Sequence, residues 1–469
     1  MLFSSILFLW IFLPAVFIGY RLLGDKYRNL FLLLASIIFY GWGEPKNVNV
    51  MLVSIIVNYL CGIGIEKLEN RIGWKKFLLG TCVVLNLAVL GYFKYMTPSI
   101  ETLSKLFQWE NLYKGVALPI GISFYTFQAI SYVIDVYRKT IKAQRNLIDM
   151  GLYITFFPQL IAGPIVKYHD IEAQLKVRPL NLMETAYGVR RFIYGLAKKV
   201  LIANQMATIS DDIFAIPAQS IETPIAWVGI AAFYLQVYFD FSGYSDMAIG
   251  LGHMFGFRFM ENFNYPFISR SIREFWQRWN ISVFTWFREY LYFPLGGSRK
   301  GEFRTNVNIL VVFAATGIWH GADLNFMFWG LFWGVLMIIE RAWIGKYLDK
   351  PSWRILSHIY FLLMIFIGGV IFQTEDLSHT WRYLTTMFCW SNNPALHFSD
   401  VISVWGWILG GVAIILSGPL QMMIPALRKA LYREDKIYIL EIPVLIVLLA
   451  ACIFILSGTA YNPFIYFRF

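Results

Sequence analysis

A chain of 469 residues that is 58% hydrophobic and only 15% charged departs from soluble domains, which are nearer half apolar and a quarter charged. With a mean hydropathy of +0.56, it reads as a protein solvated by lipid. The net charge of +11 does not argue for nucleic acid, because the basic residues sit in short clusters between apolar spans, the pattern of cytoplasmic loops under the positive-inside rule.

The apolar segments run nearly end to end, which excludes a string of soluble domains and predicts one integral membrane domain over 1–469. A spanning helix takes about 20 mostly apolar residues. Candidates fall at 2–20, 29–43, 48–65, 77–93, 117–136, 184–206, 224–252, 306–320, 324–340, 354–373, 403–424 and 438–459. The first lacks the basic leading segment and cleavage site of a secretory signal, and is expected to stay as a helix.

The segment 147–165, "LIDMGLYITFFPQLIAGPI", carries basic residues on both flanks and is interrupted by Pro158, Gly163 and Pro164. It is expected to dip in and return rather than to cross as one helix. Broken backbone at membrane depth survives only where protein or a water-filled cavity surrounds it. Arg21, Lys26 and Arg28 after the first span place the N-terminus outside, and 208–223, without lysine or arginine, is placed outside as well. The arginines between 270 and 304, and Arg428, Lys429, Arg433 and Lys436, mark inner loops. No internal repeat is visible, which counts against an inverted-repeat transporter.

Four clusters carry chemistry. In "LPIGISFYTFQAISYVIDVYR", 118–138, polar side chains are interleaved with apolar ones, a pattern that most often serves as interhelical glue. In "YFDFSGYSDMAIG", 238–250, Asp240 and Asp246 lie in or at the end of a long apolar run and need partners, for which nearby arginines are the candidates. From 265 to 301, Phe275, Trp279, Val283 and Trp286 recur at helical spacing with Arg278, Asn280 and Arg288 on other faces, which predicts an amphipathic helix at or below the inner interface. An interfacial anchor touching lipid headgroups explains that pattern equally well, while its positive charge would also suit a phosphate-rich cofactor.

The fourth cluster is "TGIWHGADLNFMFWG". An ionisable group such as His320 within an apolar run is costly and reads as functional, against the alternative of a satisfied buried histidine. Gly317 and Gly321 would admit a close neighbour, and Asp323 could orient the imidazole if the local turn is helical. His253 follows a glycine-rich stretch; His169, His358, His379 and His397 lie in or near loops. The four cysteines form no C-x-x-C pair, so neither a disulfide framework nor a metal site is expected. No P-loop, dinucleotide fingerprint, H-E-x-x-H or G-x-S-x-G occurs in a suitable context.

"REFWQRWNISVFTWFREYLYFPLGGSRKG", "GIWHGADLNFMFWG", "DFSGYSDMAIGLG", "LPIGISFYTFQAISYVIDVYR", "FFPQLIAGPI" and the terminal "YNPFIYFRF" together resemble the membrane-bound O-acyltransferases. Within them the sequence is similar to the bacterial branch typified by the alginate O-acetyltransferase membrane subunit. The resemblance covers nearly the whole chain, in order. It implies an all-α polytopic membrane fold, with about 11–12 transmembrane helices and re-entrant or amphipathic helices around a central channel.

The resemblance also implies a function. An acyl group, acetyl in this branch, would pass from a cytoplasmic thioester such as acetyl-CoA to the hydroxyl of an extracytoplasmic polysaccharide such as alginate. An extracytoplasmic acyltransferase partner would finish the transfer, and no cofactor would be permanently bound. The expected location is the bacterial cytoplasmic membrane. His320 matches the family's near-invariant histidine. The second polar position, often histidine in the bacterial branch and asparagine or aspartate elsewhere, falls at Asn280. An asparagine cannot shuttle a proton, so His320 would act as base and Asn280 would orient or polarise. Arg273, Trp276, Arg278, Trp279 and Arg288 are the expected donor-binding residues; Asp240, Asp246 and Asp323 are expected to support. D-alanyl transfer to teichoic acid and lipid acylation are alternatives. A proton-coupled transporter with His320, Asp323 and Asp240 as its relay is the alternative from another class.

Overall fold

The computed structural model describes residues 1–109, 113, 115–178, 181–217, 220–390, 398–426, 432–434 and 439–458. Among them the secondary structure is helical throughout. Six of the described helices are long and apolar enough to cross a membrane: Val48–Lys67, Ile72–Phe107, Thr223–Met254, Leu324–Leu348, Pro351–Gln373 and Glu441–Gly458. Phe8–Leu22 and Val404–Leu416 are shorter apolar helices. This is an all-α polytopic membrane protein. The terminal motif "YNPFIYFRF", His397, Arg428, Lys429 and Lys436 lie outside the described residues.

The chain forms two compact units, one of Met1–Phe192 with Ser245–Met260, the other of Ile193–Tyr244 with Glu261–Phe469. In the first, the helices Val48–Lys67 and Ile72–Phe107 are tied by a reciprocal amide pair. Asn58 donates to Asn86 Oδ1 at 3.1 Å and Asn86 donates to Asn58 Oδ1 at 2.9 Å. Each amide satisfies the other where lipid offers no partner. The segment 147–165 breaks, as expected, into helices of nine and four residues, Leu147–Thr155 and Phe157–Leu160. Neither is long enough to span. Residues 150–168 are buried, so protein surrounds the irregular backbone. Asp246 finds the arginine it needs: Arg191 Nη2 lies 2.6 Å from its Oδ1, both side chains buried.

The second unit is organised around a helical hairpin, Glu302–His320 and Leu324–Ile339. Its two arms touch through glycines. A Cβ on Gly317 would run into the carbonyl oxygen of Phe326, and one on Gly330 into that of Phe313. Close backbone approach of this kind is how helices gain packing energy in lipid, where burial of apolar surface gives no advantage. The expected room at Gly317 is therefore used by a neighbouring backbone.

Two expectations need correction. The region 265–301 is not one amphipathic helix. It folds as Ile272–Arg278, Ile281–Phe287 and the π-helical Arg288–Tyr292, because Asn280 takes a left-handed conformation (φ 44, ψ 55) that ends one helix before the next begins. The span 403–424 is also interrupted, by Gly418 at φ 158 between Val404–Leu416 and Pro419–Met423.

Candidate active site

The short helix Ile272–Arg278 is held at its N-terminus from three directions. Ser271 Oγ accepts the N–H of Glu274 at 3.1 Å, and Glu274 reaches back to the N–H of Arg270 at 2.9 Å. This is a variant of the S-x-x-E capping box, with the glutamate reaching one residue beyond the N-cap. The remaining first-turn donors go to Glu340, a buried carboxylate of the hairpin's second arm, which accepts from Ile272 N at 2.6 Å and Arg273 N at 3.0 Å. The donors that every helix N-terminus leaves open are thus met by side chains, and a seven-residue helix that would not persist alone is fixed in place.

The next helix starts just past Asn280. Asn262 accepts Ile281 N through its carbonyl and Ser282 N through its side chain, each at 3.0 Å. Asparagine is among the few side-chain-bearing residues that visit the left-handed region at modest cost. The Asn280 side chain is buried, and its Oδ1 has no hydrogen-bond partner among the described residues. In a buried setting such an atom is expensive.

His320 is the last residue of the hairpin's first arm. Gly321 is extended (φ −170, ψ 171), so the turn that follows is not helical and the condition for Asp323 to orient the imidazole fails. The Asp323 side chain is exposed at the start of the second arm. Aromatic rings fix the imidazole instead: Trp319, Trp329 and Phe372 lie 4.7, 4.9 and 5.3 Å from it, centroid to centroid.

These pieces meet at one cavity of about 340 Å³, lined by Arg273, Trp276, Trp279, Asn280, Arg288 and His320 among others. Arg273 and Arg288 are solvent-accessible. Six of the predicted site residues therefore converge. A second, smaller cavity of about 50 Å³ adjoins the first and shares His320, Trp276 and Trp279 with it.

A family model for the membrane-bound O-acyltransferases matches residues 138–374. The probable alginate O-acetylase AlgI of Pseudomonas aeruginosa is 38% identical, with all of both chains covered. Its counterpart in Azotobacter vinelandii is 39% identical, again over both whole chains. A peptidoglycan O-acetyltransferase of Helicobacter pylori is 32% identical over 86% of this chain and 82% of its own. The chain belongs to the membrane-bound O-acyltransferase family. It is an O-acyltransferase.

Three predicted residues are occupied elsewhere. Arg278 pairs with Glu274 at 2.9 Å, donates to the Asn264 carbonyl at 3.0 Å and faces a different groove, with Arg270, Arg354 and His358. Asp240 pairs with Lys199 at 2.7 Å, both buried; its partner is a lysine, where an arginine was expected. Asp246 is held by Arg191. With Asp240 on Lys199 and Asp323 exposed, the relay that a transporter would need is not assembled.

Sequence reasoning missed Glu340, Asn262, Gln277 and Thr316, the last two of which line the larger cavity. The capping signature Ser271-x-x-Glu274 was there to be read. An acid closing the apolar run "WGVLMIIE" also marks Glu340 as needing a partner, but the partners are backbone groups, which no pattern of side chains reveals.

Proposed function

We propose that this protein takes an acetyl group from a cytoplasmic thioester, acetyl-CoA, and passes it to the hydroxyl of an extracytoplasmic polysaccharide in the bacterial cytoplasmic membrane. The observation that carries this is the meeting of His320, Asn280, Arg273 and Arg288 on one cavity. The two arginines suit the phosphates of the donor, which they can grip by charge-assisted hydrogen bonds.

His320, a base near neutral pH, takes the proton of the acceptor hydroxyl as its oxygen attacks the thioester carbonyl carbon. The Asn280 amide donates to the oxyanion that forms. The C–S bond then breaks, the proton passes from the imidazolium to the leaving sulfur, and a free thiol and an ester result. The names of the relatives, alginate and peptidoglycan acetylases, support a polysaccharide acceptor and an acetyl group.

The test is acyl transfer and thiol release by purified protein in nanodiscs. His320→Ala should remove roughly 10²–10⁴-fold of the rate, the usual size of a general base, with insertion and folding retained. Transfer at the parent rate would refute His320 as base; substrate flux into liposomes without thiol release would favour a transporter.

A further inference from the structure

The smaller cavity beside His320 is built almost wholly of rings: Phe233, Tyr234, Phe275, Trp276, Trp279, Trp329, Trp333 and Phe372, with Val237. None of its lining residues is acidic or basic apart from His320 itself. The rings brace each other. Trp329 lies 5.2 Å from Phe372 and 5.8 Å from Trp276, and Trp276 lies 5.6 Å from Trp333, all edge-on. Two adjacent glycines seat two of these walls: a Cβ on Gly368 would run into the Trp333 ring, and one on Gly369 into the Tyr234 ring. Because the rings pack on one another, widening the cavity means moving several large residues at once.

Its size is informative. An apolar cavity of roughly 150 Å³ takes up benzene, with six carbons. This one is about 50 Å³, a third of that, and has room for about two carbon atoms. It shares His320, Trp276 and Trp279 with the larger cavity. A thioester carbonyl placed at His320 from the larger cavity would point its acyl tail into the smaller one.

We propose that this aromatic cavity receives the tail of the transferred acyl group and limits it to acetyl or propionyl, with Phe372, Trp329 and Trp333 as the residues that set the limit. The proposal rests on the reading of His320 as the base of an acyl transfer. A butyryl or longer tail would clash with rigid rings. A tail carrying an ammonium, such as D-alanyl, would enter an apolar site with no carboxylate to receive it, which is costly.

The experiment compares acetyl-, propionyl-, butyryl- and hexanoyl-CoA as donors for the full-length protein in nanodiscs, with a D-alanyl thioester as a fifth. It reads thiol release and acylated product by mass spectrometry. The expected result is a drop in kcat/KM of tenfold or more between propionyl and butyryl. Phe372→Ala and, separately, Trp329→Phe should raise the butyryl-to-acetyl ratio several-fold, a change in preference that general damage to the fold would not produce. Parent protein that uses hexanoyl or D-alanyl donors as well as acetyl overturns this proposal alone. So does an unchanged ratio in whichever variant folds. Absence of transfer from every thioester by the parent overturns the reading of His320 and the proposal together.

Discussion

Glu340 accepts the backbone N–H of Arg273 at 3.0 Å, so a carboxylate on one arm of the hairpin positions the helix that carries a cavity-lining arginine. Glu340→Gln would replace one acceptor oxygen with an NH₂ group facing an N–H, leaving a buried donor unsatisfied at about 1–3 kcal/mol. The expected outcome is a modest fall in melting temperature and a several-fold rise in donor KM, larger than the change in kcat. Steady-state kinetics beside a thermal melt would check this. An unchanged KM would show that the helix holds its place without Glu340.

Arg273 and Arg278 are five residues apart and should behave differently. Arg273 lines the larger cavity, whereas Arg278 is engaged by Glu274 and the Asn264 carbonyl. Arg273→Ala should raise donor KM, with an effect that shrinks at high salt as exposed charges are screened. Arg278→Ala should leave donor KM near the parent value and act through stability. Equal, salt-sensitive effects from both would contradict this division.

At Asn280 the backbone and the amide can be tested apart. Asn280→Gly keeps the left-handed conformation and deletes the amide. Asn280→Ala deletes the amide and adds strain of about 1–2 kcal/mol. Both should lose activity, by ~10²–10³ in kcat if the amide meets the oxyanion, but only the alanine variant should also lose thermal stability for backbone reasons. Asn280→His, a residue tolerated in this conformation, should retain measurable transfer. A glycine variant with full activity would leave Asn280 a purely structural role.

His169 sits between two carboxylates, with Nδ1 3.0 Å from Asp135 and Nε2 3.2 Å from Asp170. Hydrogen bonds to these two acids push its pKa up from 6.5 to about 9. A histidine whose folded pKa is raised lends stability that is fully present below its unfolded pKa and lost as pH rises through the folded one. The contribution should therefore be complete below about pH 6.5 and gone above about 9. Melting temperatures of the parent and His169→Gln proteins, measured from pH 6 to 10, should converge toward the alkaline end. A gap that stays constant across that range would refute the pairing.

Much of this was legible in the sequence, for identifiable reasons. Hydrophobic runs announce helices in lipid because the backbone has no other way to satisfy itself there. His320 stood out because an ionisable group in such a run is costly. The break at 147–165 was legible from its prolines and glycine. What stayed hidden depended on contacts between distant segments. The turn at Asn280 left the 3.6-residue spacing of Phe275, Trp279, Val283 and Trp286 looking like one helix. The pairing of Arg278 with Glu274 was four residues away and readable, but its consequence, that Arg278 faces another groove, depended on where the helix lies. The aromatic cavity joins residues from 233 to 372, and no local pattern connects them.

Of the four described π-helical stretches, Phe8–Phe12 is wholly apolar, whereas Lys198–Ala203, Arg288–Tyr292 and Glu340–Ile344 each begin at or next to an ionisable residue with a defined role. Lys199 holds Asp240, Arg288 lines the larger cavity, and Glu340 caps the Ile272–Arg278 helix. A π turn amounts to one residue inserted in an α-helix, and each residue of an α-helix turns the chain by about 100°. The extra residue is taken up within one wide turn, so the faces on either side keep their phase. Deleting a single residue within 340–344 would return the stretch to α geometry and leave those faces aligned, whereas the same deletion in plain α-helix nearby would turn every side chain beyond it by about 100°. In the natural drift of this gene, single-codon deletions would be absorbed at these three places and misalign whole faces elsewhere along the same helices.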